Sequence, residues 1–155
     1  MQLEFDKDRL LELMHYFHTL TGFRIVLFDD NHQEILSVPD TDCPFCTEMK
    51  NDTQTRKKCL ESDLYSFNEC KRKKKLIIYR CHANRVEATI PLIENHIVIG
   101  YLMFGQLSDV PDEKIQAAAK ILEATTFYVI YDKLIKLGRQ NFIEKLQAYI
   151  SEHII

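Results

Sequence analysis

The sequence predicts an α+β domain in which a five-stranded antiparallel sheet carries flanking helices and is followed by a long C-terminal helix. Two observations support this class. The hydrophobic periodicity predicts elements in the order helix, hairpin, helix, three-stranded meander, helix. The chain also has 155 residues, of which 46% are hydrophobic, and this is enough to bury one core. We therefore expect a single globular unit.

The first elements are predicted to be a helix and a hairpin. Residues 6–20 place Leu, Met and Phe side chains on one helical face, and Gly22 ends the helix. Residues 24–28 are β-branched and apolar, residues 29–32 have turn composition, and residues 34–38 form a second short strand. These two strands are expected to pair.

A second helix and a meander follow. After the irregular residues that come next to Pro39, Thr53 is predicted to cap a helix that reaches about Arg72. The residues predicted to face inward from this helix are Leu60, Leu64 and Phe67. The three meander strands are predicted at residues 76–81, 86–93 and 96–106, with a tight turn at residues 94–95.

The last predicted helix is longer than a small domain needs. Pro111 suits its first turn, and Gly138 is predicted to end it after about 26 residues, or roughly 39 Å. Its apolar residues lie on more than one face: Ile115, Leu122 and Val129 at heptad spacing, and also Ile121, Phe127, Ile130 and Leu134. We expect residues 111–137 to form a homodimer interface, and burial within the domain is the alternative.

Composition limits the function classes. The net charge of -3 and the pI near 6.1 argue against nucleic-acid binding through the surface of this chain. No apolar run could span a bilayer and no signal peptide begins the chain, so we expect a cytoplasmic protein without a membrane partner. The five cysteines are an odd number, and reduced thiols are expected.

The cysteines suggest two kinds of site. Cys43 and Cys46 have the spacing of half a zinc knuckle or of a redox pair, but no second pair follows them. A mixed metal or redox site from Cys46, Cys59 and Cys81, with His82, remains an alternative to thiols that line a pocket. Neither a nucleotide-binding glycine pattern nor an oxyanion-hole pattern is present. We therefore predict no enzyme activity and no cofactor.

Other polar residues are less informative. We expect surface or satisfied roles for the remaining histidines, which are His15, His18, His32, His96 and His153. Glu87 interrupts an apolar strand, so its carboxylate must lie either on a solvated sheet face or in a pocket with a partner. The pattern alone slightly favours the solvated face.

A set of residues in the middle of the chain resembles the PocR sensory domain family. The resemblance extends over roughly residues 10–108, and its most specific part is the string Tyr79-Arg80-Cys81-His82-Ala83. The other matching residues are Thr21-Gly22, Phe45-Cys46, Cys59, Glu61-Ser62-Asp63, Glu87, Pro91-Leu92, Gly100 and Gly105-Gln106. The chain departs from the family at Asn84-Arg85, where Gly-Leu is usual, which could reshape the pocket mouth.

The resemblance implies a PAS/GAF-like fold that senses small organic molecules such as short diols. It implies a pocket between the sheet and the intermediate helices. The residues that it places at or near the ligand are Phe45, Cys46, Cys59, Tyr79, Cys81, His82, Glu87 and Gln106. We expect a mostly apolar pocket in which Tyr79, His82 or Glu87 orients the ligand.

The C-terminal residues carry a second, shorter resemblance. Residues 141–154 look like the opening helix of an AraC-type helix-turn-helix domain, and an ordinary terminal amphipathic helix is the alternative. We therefore predict a sensing domain at residues 1–138, with a linker and the start of the helix-turn-helix region at residues 139–155. DNA would be bound only by a region absent from this chain.

Overall fold

The computed structural model describes residues 6–153, apart from the side chains of residues 131–135 and 137. The elements in chain order are α1 Lys7–Thr21, β1 Arg24–Asp29, β2 Glu34–Val38, α2 Pro44–Asn51, α3 Thr53–Lys73, β3 Ile77–Arg80, β4 Val86–Glu94, β5 Ile97–Leu107 and α4 Asp112–His153. Of the described helices, none is long and apolar enough to cross a bilayer.

The strands form one five-stranded sheet in the order β2-β1-β5-β4-β3. Every neighbouring pair is antiparallel, so the predicted α+β class and the predicted hairpin and meander are confirmed. The turn between β4 and β5 lies at Asn95 and His96, both with positive φ, one residue later than predicted. Because β1 pairs with β5, the N-terminal hairpin and the meander share one continuous sheet.

Helices α1 and α4 cover one face of the sheet. Leu10, Met14 and Phe17 of α1 are buried, as their spacing predicts. They pack with Ile115 and Leu122 of α4 in the larger hydrophobic cluster. The strand residues that point into this cluster are Ile25, Leu27, Ala88, Ile90, Leu92, Leu102 and Phe104.

Helix α3 covers part of the opposite face, and a smaller cluster lies beneath it. Phe67 and Cys70 of α3 are buried against Tyr101 and Met103 of β5. Successive strand residues point to opposite faces, so β5 is buried on both sides. This explains why the apolar residues of β5 show no alternation from which its inward face could be predicted.

The helices between the hairpin and the meander differ from the prediction. Residues 44–51, predicted to be irregular, form α2, with Pro44 in its first turn. The carboxylate of Asp52, and not Thr53, caps α3 by accepting a hydrogen bond from the Thr55 amide at 2.8 Å. Leu60 and Leu64 are 61% and 46% exposed, so the prediction that they face inward is wrong. Only the C-terminal half of α3 rests on the sheet, because a cavity separates its N-terminal half from the strands.

Helix α4 does not end at Gly138 and continues to His153, over 42 residues. This corresponds to about 63 Å, well beyond the sheet on which it packs. A glycine lowers helix stability by only about 1 kcal/mol relative to alanine, so one Gly138 within a long helix does not stop it. Ile115, Leu122, Val129 and Ile130 are buried within the domain, and Leu134 lies outside the described side chains.

Candidate ligand-binding site

A cavity of about 420 Å³ lies between the sheet and the α2–α3 pair. Its floor comes from the strand face opposite α1 and α4, and its apolar lining includes Val26, Phe28, Met49 and Met103. The volume is within the range of small-molecule sites. The charged residues in the lining are Arg24, Glu34, Asp42, Lys50, Arg56, Asp63 and Glu87.

The structure brings the residues predicted for the ligand site together. Those that line the cavity are Phe45, Cys46, Cys59, Cys81, His82, Glu87 and Gln106. Tyr79 is outside this lining, and its hydroxyl donates a hydrogen bond to Glu87 Oε2 at 2.6 Å. Tyr79 therefore helps to position Glu87, which lines the cavity, without lining it itself.

The buried Glu87 and the partly buried Asp63 place two carboxyl groups around the Tyr79 hydroxyl. This hydroxyl lies 2.6 Å from Glu87 Oε2 and 3.4 Å from Asp63 Oδ1. Burial raises the pKa of Glu87, and the Tyr79 hydrogen bond opposes this increase. Burial, followed by the charge of Glu87, raises the pKa of Asp63 to about 7. The solvated position that the pattern slightly favoured for Glu87 is therefore wrong, since the carboxylate is buried and paired.

A β-bulge places Glu87 and Gln106 at the cavity. Val86 pairs with Leu107 and Ala88 pairs with Phe104, so Gly105 and Gln106 together lie opposite Glu87. Gly105 is required at this bulge, because an added Cβ would lie 2.5 Å from Glu87 Cγ and 2.9 Å from Glu87 Cα. The left-handed φ of 64° at Gln106 turns its side chain toward the loop before α2.

Asp42 is the centre of a second polar cluster at the cavity. Its carboxylate accepts a hydrogen bond from Lys50 Nζ at 2.7 Å and from Gln106 Nε2 at 2.6 Å, and lies 3.4 Å from Arg24 Nη1. Burial alone would raise the pKa of Asp42, but the Lys50 and Gln106 hydrogen bonds hold it below its ordinary value. Gln106 Oε1 also accepts the Cys43 amide hydrogen bond at 2.8 Å, which fixes the start of α2.

A thiol and an imidazole meet at the cavity wall. Cys59 Sγ on α3 lies 3.1 Å from His82 Nε2, although His82 is next to Cys81 in the chain. The amide of His82 donates a hydrogen bond to Ser62 Oγ at 3.2 Å, so both the main chain and the ring of His82 are held against α3. Burial raises the pKa of the Cys59 thiol, and the nearby charge of Lys50 opposes this increase.

The residues of the alternative metal or redox site are also brought to the cavity. Cys46, Cys59, Cys81 and His82 all line the cavity. Across the described part of the chain, however, no three His, Cys, Asp or Glu side chains are arranged to hold one metal ion. Cys43 has a local role, because its Sγ accepts the Cys46 amide hydrogen bond at 3.4 Å at the start of α2.

The chain makes a tight turn at Asn84-Arg85, where it departs from the family. Asn84 has a φ of 61°, and asparagine tolerates this left-handed conformation better than most non-glycine residues. Its amide donates to the Cys81 carbonyl at 2.9 Å and closes the turn. The Arg85 guanidinium lies 4.1 Å from the centre of the Phe45 ring. Asn84 therefore accommodates the turn, and Arg85 makes a cation–π contact with a cavity residue.

Several cavity residues were not identified from the sequence. Arg24 of β1, Asp42 of the loop before α2 and Lys50 of α2 meet at the cavity, although they come from separate elements. Asp63 was part of the string that matched the family but was not assigned to the site. His32, for which a surface or satisfied role was expected, also lines the cavity and stacks on Phe67 with ring centroids 4.6 Å apart. Burial, followed by Lys71, lowers the pKa of His32.

Comparison with solved structures identifies the fold. A GAF domain/HD domain protein from Geobacter sulfurreducens is 14% identical, with a TM-score of 0.50 over 82% of this chain and 93% of that chain. An IclR transcriptional regulator from Alicyclobacillus acidocaldarius is 16% identical, with a TM-score of 0.51 over 79% of this chain and 65% of that chain. The predicted GAF-like architecture is thus confirmed.

Comparison with protein families and curated sequences identifies the group to which the chain is related. The profile of the family described as the sensory domain found in PocR matches residues 4–150. The regulatory protein PocR of Salmonella typhimurium is 30% identical over 91 residues, which are 59% of this chain. The chain spans about 30% of the length of that relative. This chain belongs to the PocR family of regulatory sensory domains.

Proposed function

We propose that this domain is the sensing part of a transcription regulator and that it binds a small, oxygen-bearing organic molecule, such as a short diol, in the α2–α3 cavity. It carries out no catalysis in this function. The observation that carries the proposal is that Glu87, which lines a cavity with partly apolar walls, is held there by a 2.6 Å hydrogen bond from the Tyr79 hydroxyl behind it. The apolar walls would bind the carbon skeleton, and the buried polar groups would orient the hydroxyl groups.

The carboxyl pair suits a hydroxyl-bearing ligand. Because the pKa of Asp63 is about 7 and that of Glu87 is raised, the pair holds a proton near neutral pH. One protonated and one ionised carboxyl group, both within reach of the Tyr79 hydroxyl, would offer a donor and an acceptor. A vicinal diol carries two neighbouring hydroxyl groups, each of which can donate and accept a hydrogen bond.

Strand β4 connects the cavity with the long helix. Glu87 and Thr89 point toward the cavity side, whereas Ala88 and Ile90 join the cluster that includes Ile115 of α4. A ligand that pulls on Glu87 therefore acts on a strand that α4 contacts directly. We propose that binding shifts the position of α4, and that α4 passes the signal to a DNA-binding region of AraC type outside this chain.

We further propose that α4 forms a homodimer, with residues 111–137 as part of the interface. Ile121, Tyr128, Phe142 and Tyr149 follow heptad spacing and are between 56% and 69% exposed. This stripe is separate from the buried stripe of Ile115 and Leu122, so one helix can serve both the domain core and a partner. A second copy of α4 presents the same stripe, as two-fold symmetry requires.

The ligand proposal is tested by isothermal titration with a panel of short vicinal diols. We expect Glu87→Gln to weaken binding by about 10-fold or more, as expected when a hydrogen bond to a charged group is lost. Glu94→Gln is the matched control, because Glu94 is on the same strand but outside the cavity lining. Equal loss of affinity in both variants, or no diol binding by the wild-type protein, would overturn this assignment.

A further inference from the structure

We infer that Cys59 is a covalent capture site for small electrophilic carbonyl compounds, with His82 as the base that accepts the thiol proton. This rests on the proposal that the α2–α3 cavity admits a small organic molecule, and it adds a second chemical class of ligand. The carrying observation is the 3.1 Å approach of Cys59 Sγ to His82 Nε2 at the wall of that cavity.

The thiol and the imidazole are positioned for proton transfer. The distance of 3.1 Å between Sγ and Nε2 is short for a hydrogen bond involving sulfur, and a nucleophile within hydrogen-bond reach of a base is the usual arrangement for thiol addition. Ser62 holds the His82 main chain, and it shares the face of α3 with Cys59, which lies three residues earlier. The pair is therefore fixed before any ligand arrives.

The surroundings of the pair suit a carbonyl group. Lys50 Nζ is close enough to Cys59 for its charge to influence the thiol, and Lys50 also lines the cavity. An ammonium group at this position stabilises the negative charge that develops on a carbonyl oxygen under attack. The other cysteines that line the cavity, Cys46 and Cys81, have no hydrogen bond to an imidazole among the contacts of the described residues.

The proposed step is an addition that needs no oxidant. The Cys59 sulfur forms a bond to the carbonyl carbon, and the π bond of the carbonyl group breaks toward oxygen. The proton leaves Sγ for His82 Nε2 and is then transferred to the carbonyl oxygen. The product is a hemithioacetal whose mass is the sum of protein and aldehyde, and the reverse steps release the ligand. The raised pKa of Cys59 keeps the resting site as a neutral thiol, so a base is needed for the attack.

Nuclear magnetic resonance with ¹³C-labelled acetaldehyde tests the assignment on the whole chain. We expect a hemithioacetal carbon signal for the wild-type protein, for Cys46→Ser and for Cys81→Ser, and its loss in Cys59→Ser. A signal that persists in Cys59→Ser would overturn the inference. So would an imine signal that Lys50→Arg abolishes, because it would identify a lysine adduct in place of a thiol adduct.

Alkylation with iodoacetamide, followed by peptide mass spectrometry, tests the role of His82 without altering the nucleophile. We expect His82→Gln to slow alkylation of Cys59 by about 10-fold or more, while Cys46 and Cys81 in the same molecules react at unchanged rates. A uniform change at all three thiols would reflect loosened structure and would contradict the assigned base. The rate of Cys59 alkylation should also depend more strongly on pH in the wild-type protein than in His82→Gln.

The diol titration separates this inference from the proposed function. Diol binding by Cys59→Ser without an aldehyde adduct would support both. Diol binding by the wild-type protein without any adduct would overturn the capture site alone. An adduct at Cys59 without diol binding would leave the capture site and overturn the diol assignment.

Discussion

The substitution Asp63→Asn tests whether the carboxyl pair of Asp63 and Glu87 controls the stability of the domain as pH changes. Asp63 lies beside Glu87 and near Lys50, and the shared Tyr79 hydroxyl contacts both carboxyl groups. Its pKa rises from the ordinary 3.8 to about 7, first through burial and then through the charge of Glu87. Between these two values the folded protein binds more protons than the unfolded chain. Stability is therefore greatest on the acidic side and is lost as pH rises through about 7.

The size of this effect follows from the two pKa values. One pKa unit corresponds to about 1.4 kcal/mol, so the ionised Asp63 costs at most about 4 kcal/mol above pH 7. Water that enters the cavity reduces this cost, and we expect about 2 to 4 kcal/mol. Asparagine keeps an oxygen acceptor for the Tyr79 hydroxyl but carries no titrating proton. The variant should therefore lose this part of the pH dependence and keep the part that comes from the raised pKa of Glu87.

Urea unfolding between about pH 5 and pH 8.5 measures the difference. We expect the free energy of unfolding of the wild-type protein to fall more steeply with pH than that of Asp63→Asn, with the two curves converging or crossing at high pH. Asp40→Asn changes the same group at an exposed position and is expected to follow the wild-type slope. Parallel curves for wild-type protein and Asp63→Asn would refute the reasoning from the carboxyl pair.

Three further predictions follow from local contacts. Tyr79→Phe removes the 2.6 Å hydrogen bond to Glu87 and should lower the free energy of unfolding by about 1 to 3 kcal/mol at neutral pH in urea; an unchanged value would contradict the buried pairing. Gly105→Ala should lower the free energy of unfolding by about 1 to 3 kcal/mol, because the added Cβ overpacks against Glu87. Gly138→Ala should instead raise the thermal midpoint, because nothing lies within 4 Å of its added Cβ and alanine favours a helix. Tyr128→Glu should shift the protein toward monomer in analytical ultracentrifugation without lowering its thermal midpoint, and an unchanged mass would argue against the α4 interface.

Much of the architecture could be predicted from local patterns. The α1 face of Leu10, Met14 and Phe17, and the strand limits of β2, follow from periodicity and turn residues, which are properties of neighbouring positions. Leu60 and Leu64 have the spacing of a buried face but remain exposed, because a cavity replaces the core beneath that part of α3. Periodicity identifies an apolar face but does not say whether another element covers it.

The sequence by itself determined the fold class, the family and seven of the residues that line the cavity, which are Phe45, Cys46, Cys59, Cys81, His82, Glu87 and Gln106. These depend on short strings, such as Tyr79 to Ala83, whose meaning does not require contacts between distant segments. Only the tertiary structure decided that His82 pairs with Cys59 rather than with its neighbour Cys81, and that Glu87 is buried against Tyr79. Both pairs join residues from separate elements, so their distances are set by the turn after β3, the position of α3 and the bulge in β5. Hydrogen bonds and pKa values depend on these distances and on burial, and neither quantity can be obtained from the spacing of residues along the chain.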